Sequence, residues 1–171
     1  MAHRVFRLVS MAWVGSLLTL GLVAAPVLFS MLDRTTAGSV AAQLFRIEAI
    51  IGVVSALVLI VIGNRFVKSG IGDYKRVRWI VAVMFVCVLL GYFALQPFMN
   101  SLRMAAQEAG TDLASSPYAR QFAMLHGVSS AIYLIECLFG LALIWRLPGA
   151  APVAIVPKNK SAKMAAKRAR S

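Results

Sequence analysis

The stretch LFRIEAIIGVVSALVLIVIG, residues 44–63, decides the fold class. Its two charges, Arg46 and Glu48, lie near one end, and no charged residue follows them before Gly63. A helix of about 20 residues rises about 30 Å, the thickness of the hydrocarbon layer. Leu8–Phe29, Trp79–Met99 and Phe122–Trp145 have the same length and apolar character. Four such segments predict an all-α polytopic membrane protein, an antiparallel four-helix transmembrane bundle occupying residues 1–147.

Composition supports this reading. Hydrophobic residues make up 60% of the 171 residues and charged residues 14%, against roughly 25% in soluble chains. A formal net charge of +12 would suggest nucleic acid in a soluble protein. Here the basic residues collect beside the ends of the apolar segments, where anionic head groups meet them, so nucleic acid is not an expected partner. Fourteen Lys and Arg fall before span one, between spans two and three, or after span four; only Arg34, Arg46, Arg103 and Arg120 fall on the other side. That bias places both termini and the middle loop in the cytoplasm and predicts a multi-pass protein of the inner (cytoplasmic) membrane. Span one has Ala24 and Ala25 near its end, but its apolar run exceeds that of a signal peptide, and Pro26 stands where a mature chain would begin. It is expected to be retained.

The connections carry capping signals. Thr35 or Thr36 is the expected N-cap of the helix entering span two, and Asp73 that of the helix entering span three. Span three is expected to project beyond the outer face through Ser101–Ala109 and stop near Gly110, with Ser116 as N-cap and Pro117 as first residue of the next helix. Residues 148–171, with Pro148, Pro152 and Pro157 and a run of Lys and Arg among Ala and Ser, read as a disordered basic tail. The expected partners are membrane lipids, met through this tail and the basic loop, and a second copy or other membrane proteins.

Polar residues inside the spans are the candidates for function, because ionisable groups are costly at membrane depth. His126, Ser129, Ser130, Tyr133 and Cys137 recur at i, i+3, i+4, i+7 and i+11, one face of span four, expected to turn inward. Tyr92, Gln96 and Asn100 share a face of span three, while Arg46 and Glu48 stand near the outer end of span two, with Gly52 and Ser55 beside Glu48. Axial rise puts Glu48, Gln96 and Ser129–Ser130 roughly 22–25 Å above the inner boundary, with His126 and Asn100 slightly higher. These residues define an expected outer-half polar cluster that is a ligand site (His126, Glu48, Gln96, Asn100, Ser129, Ser130, Arg46), interhelical hydrogen-bonding glue or, for Arg46 and His126, interfacial snorkelling. Glu136 has no cation at comparable depth and reads as a proton-relay group or a neutral hydrogen-bonded acid. Cys87 and Cys137 lie at matching depths and indicate neither a disulfide nor a metal site.

Trp13, Gly15, Val23–Phe29, Ala37-Gly38-Ser39-Val40-Ala41 and Leu44-Phe45, with Leu125-His126-Gly127 and Ser129, resemble the DUF4149 or TMEM205-like family of small four-helix membrane proteins. The resemblance implies a fold and no activity. Signatures of metalloproteases, phosphate-binding loops and Ser hydrolases are absent from the sequence, so the chain reads as non-enzymatic, assisting transport or envelope homeostasis. The alternative is a redox or haem-binding bundle. Since His3 and His126 are the only histidines, that reading requires His126 to act across a dimer; otherwise no cofactor is expected. For the topology, a reporter active only outside the cytoplasm should give signal when fused after Thr36 or Asp112 and none after Gly70 or Lys160. Strong activity from the Lys160 fusion would exclude four spans.

Overall fold

A computed structural model describes residues 1–72 and 74–147. Four helices long and apolar enough to cross a membrane account for most of them: α1 (Ala2–Met31), α2 (Arg34–Lys68), α3 (Tyr74–Glu108) and α4 (Ala119–Trp145). A short 3-10 turn, Leu113–Ser115, lies between α3 and α4, and no strand occurs among the described residues. The protein is an all-α, multi-pass membrane bundle. Each helix is longer than its apolar segment; α2 and α3, at 35 residues apiece, rise about 52 Å and so exceed the hydrocarbon layer.

The helix ends follow local chemistry. Asp33, rather than Thr35 or Thr36, caps α2: its carboxylate accepts the backbone N–H groups of Thr35 and Thr36, each at 3.0 Å. Hydrogen bonding from Thr36, and then from Thr35, holds this exposed carboxyl below its ordinary value of 3.8. α3 runs to Glu108 and ends at Gly110, whose φ of +66° is the left-handed geometry of a helix stop. Ser116 accepts from the Tyr118 N–H at 3.3 Å, but α4 begins at Ala119, two residues past the Pro117 start. Asp73 and the tail 148–171 lie outside the described residues.

Two of the helices are irregular in the half away from the basic end. A π segment, Leu20–Ala24, precedes Pro26 in α1, and another, Leu89–Leu95, precedes Pro97 in α3. Proline has no N–H and its ring collides with the carbonyl four residues back, so the preceding turn must widen to re-pair its backbone groups. Hydrocarbon offers no other partner.

Small residues let the helices approach. α2 buries Ala37, Ala41, Ala49, Gly52, Ser55, Ala56 and Gly63 along one stripe. A Cβ on Gly52 would lie 3.1 Å from Val88 Cγ2 and 3.2 Å from Trp13 Nε1. On α4, a Cβ on Gly140 would lie 3.2 Å from both methyls of Val14 and 3.4 Å from Met84 Cε. Near the basic end, His3 stacks on Phe66 at 4.0 Å and its Nδ1 lies 2.9 Å from the Tyr74 hydroxyl, tying the N-terminus to α2 and α3.

Packing is uneven along the bundle axis. Past Leu20, α1 buries nothing; on α4, burial begins only at Glu136. The core therefore sits in the half towards the basic end. It is centred on Phe6, Trp13, Leu17, Leu59, Met84 and Leu143. Leu at position 52 or 140 should overpack that core and lower thermal stability by about 1–3 kcal/mol. The same change at Gly127, where a Cβ meets nothing within 4 Å, should be near neutral in a thermal unfolding series.

Candidate functional site

Polar side chains of α1 and α2 meet where the packed half ends. Ser16 on α1 places its Oγ 3.1 Å from Glu48 Oε1 on α2 and 2.9 Å from the Trp13 carbonyl. A hydroxyl has one proton for these two acceptors. If Glu48 is ionised, Ser16 must donate to it; if Glu48 is protonated, it can donate to Ser16 while Ser16 donates to Trp13. Ser16 and Glu48 can therefore stay hydrogen-bonded in either state.

Glu136 on α4 belongs to the same region, and the two carboxyl groups lie within electrostatic reach of each other. Glu48 is 7% exposed and Glu136 4%. Unlike Glu48, Glu136 has a buried carboxyl oxygen, Oε1, with no hydrogen-bond partner. Trp13 is fully buried against Gly52, one turn along α2 from Glu48, and its Nε1–H is likewise unpartnered. An unsatisfied buried polar group costs about 1–3 kcal/mol, so a donor and an acceptor left open in one core call for an account.

Tyr133, one turn from Glu136 on α4 in the direction away from the basic end, closes this region from that side. Its hydroxyl donates to the Leu17 carbonyl at 2.6 Å, just before the π segment of α1. The ring packs edge-on against Phe45 at 5.2 Å and leans on Gly21, where an added Cβ would come within 2.6 Å of Tyr133 Cε1. Cys87 and Cys137 are free, buried thiols, both within electrostatic reach of Glu136. Among the described residues, no group of three or more His, Cys, Asp or Glu could hold a metal ion.

The expected outer cluster does not assemble. Glu48 is buried as described, and Gln96 and Ser129 are half-buried, but Arg46, Asn100, His126 and Ser130 are exposed. His126 stacks parallel to Phe122 at 6.0 Å, and the Arg103 guanidinium lies 5.6 Å over the same Phe122 ring. Asn100 Nδ2 has only Met104 Sδ, at 4.0 Å on its own helix. The inward orientation expected of the His126 face is corrected for its outer end: Tyr133 and Cys137 point into the bundle, but His126 and Ser130 do not. Periodicity groups side chains on a face, and only a packed neighbour turns that face inward. Near His126 no helix packs closely enough to bury α4.

Glu48, expected at the depth of Gln96 and Ser129–Ser130, has Ser16 of α1 as its hydrogen-bond partner. Glu136, which the sequence sets apart from the cluster, lies within electrostatic reach of Glu48. Trp13 and Ser16 were not singled out for the site. Their signal was available in α1, where Phe6, Ser10, Trp13 and Leu17 are buried at i, i+4, i+7 and i+11, a core face carrying polar atoms.

Residues 8–108 match DUF4149, a domain of unknown function. The chain belongs to this family. The match takes in α1 from Leu8, all of α2, and α3 to its end, so Trp13, Ser16 and Glu48 of DUF4149 lie inside it while Tyr133 and Glu136 lie beyond it. No curated protein and no solved structure matches the chain.

Removing the Tyr133 hydroxyl as Tyr133→Phe should lower stability by about 0.6–2 kcal/mol, the range for an interhelical hydrogen bond in a membrane. Gly21→Ala should cost more by displacing the ring. Wild-type unfolding of Gly21→Ala in detergent would mean that Tyr133 does not rest there.

Proposed function

We propose that this protein is a non-enzymatic membrane component that binds and relays protons through the Glu48–Glu136 pair, in support of transport or envelope homeostasis. The observation that carries the reading is the pair of carboxyl groups buried at membrane depth, one of them with an open hydrogen-bonding position. Ionisable groups are expensive there and mark ion or proton pathways in membrane proteins. Two features of the site favour protons over larger cargo. Ser16 can accommodate Glu48 in either protonation state, and the open donor of Trp13 and open acceptor of Glu136 suit water or hydronium. The site adjoins the loosely packed outer half, which gives a proton a short route from one side, with Tyr133 across that route.

The same reading places the protein in the inner membrane with both termini in the cytoplasm, on the strength of the fourteen-to-four distribution of basic residues. An exposed His126 favours one alternative, a haem ligated across a dimer, which a Soret band in the purified protein would reveal.

The test uses purified protein in vesicles carrying a trapped pH-sensitive dye. Wild type should collapse an imposed pH gradient, and Glu136→Gln, which keeps shape and removes the ionisable group, should slow collapse at least tenfold at unchanged thermal stability. Glu48→Gln should slow it comparably. Gradient decay no faster than in protein-free vesicles, or full activity of both Gln variants, overturns the proposal.

A further inference from the structure

A second feature lies on the outside of the bundle and is independent of the acidic pair. α1 and α4 part on their surface to leave a groove of about 660 Å³ between Met11, Gly15 and Leu18 on one side and Leu141, Ile144 and Trp145 on the other. Val14, pressed against Gly140, forms its floor. Among the described residues no side chain crowds its wall at Gly15, where a Cβ would meet nothing within 4 Å.

The groove has a direction. On α1, Arg4, Arg7, Met11, Gly15 and Leu18 recur at i, i+3, i+7, i+11 and i+14, so two arginines continue the groove's wall towards the basic end of the bundle. Arg146 follows Trp145 at the same end of α4, and both are exposed. From Arg7 to Leu18 the axial rise is about 16 Å, close to the ~15 Å depth of one leaflet's hydrocarbon. Of the chain's six acidic residues only Asp73, in the α2–α3 connection, belongs to this end. The mouth is therefore cationic and the channel apolar, over the length of a single acyl chain.

We propose that this groove is a binding site for one anionic phospholipid of the leaflet at the basic end. An acyl chain lies along Gly15 between α1 and α4, and the phosphate sits among Arg4, Arg7 and Arg146. Guanidinium groups pair with phosphate oxygens bidentately, which distinguishes an anionic head group from a zwitterionic one carrying its own ammonium.

Native mass spectrometry of the full chain in detergent tests this, with phosphatidylglycerol or phosphatidylcholine of identical acyl chains added. Wild type should retain one phosphatidylglycerol with at least tenfold preference. Gly15→Leu, which fills the groove without touching the protein core, should lose the adduct while its lipid-free thermal stability stays unchanged or rises. The triple change Arg4→Gln, Arg7→Gln, Arg146→Gln should keep the chain folded and bind both lipids alike. Equal retention of the two lipids by wild type overturns the inference, as does undiminished retention by Gly15→Leu. Quantitative disulfide-linked dimers of Gly15→Cys in bilayers would also overturn it, by showing a second copy in the groove.

Discussion

Inside hydrocarbon a backbone amide has no partner except the protein itself, and the rest of this structure follows from that constraint. It favours long unbroken helices, and it makes each interior proline a local problem. Pro26 and Pro97 each leave a carbonyl without its usual donor, and in both helices the preceding turn widens into a π segment. In α1 the disturbed turn is also where another helix intervenes, through the Tyr133 hydroxyl on the Leu17 carbonyl. Gly21 makes room for the ring that carries it. A backbone irregularity thus becomes a fixed contact between α1 and α4, immediately above the buried acids.

The same constraint governs the side chains. Hydrophobic burial gives little net drive for association among lipid tails, so close packing and polar contacts hold the helices together. The glycines at 52 and 140 allow that packing where α1 crosses α2 and α4. Ser16 and Glu48 supply a polar contact in the same layer. Glu136 and Trp13 depart from the pattern, since each keeps an atom without a partner. Groups of this kind add nothing to packing that an apolar residue would not, which is why they are read as functional.

Much of the architecture was legible in the sequence because the signals were long or local. Twenty-residue apolar runs set the four spans, and Gly110 marked the end of α3. Interactions between elements were harder. Asp33, Thr35 and Thr36 can each accept a free N–H, and which of them caps α2 depends on where the backbone turns helical, which local sequence does not fix. The π segments follow from Pro26 and Pro97, but a proline in the sequence does not say how the turn before it re-pairs its backbone groups. The site was half visible: Glu48 and Glu136 stand out as intramembrane acids, whereas their proximity depends on tilt and depth that a straight count of residues does not contain. His126 was misplaced for a related reason, because a polar stripe turns inward only where a neighbouring helix is close enough to receive it.

Unequal packing along the axis has a consequence for how the bundle comes apart. The half towards the basic end holds the core and the His3–Phe66–Tyr74 cluster, while the far portions of α1 and α4 bury nothing. Opening free energy follows the density of buried contacts, so such a molecule does not breathe uniformly. Amide exchange in the outer stretches of α1 and α4 would proceed by small sub-global openings, with protection rising at Leu17 and Glu136. The acids then mark the border between two cooperative units, the position at which local fluctuation on one side can admit water without loosening the other.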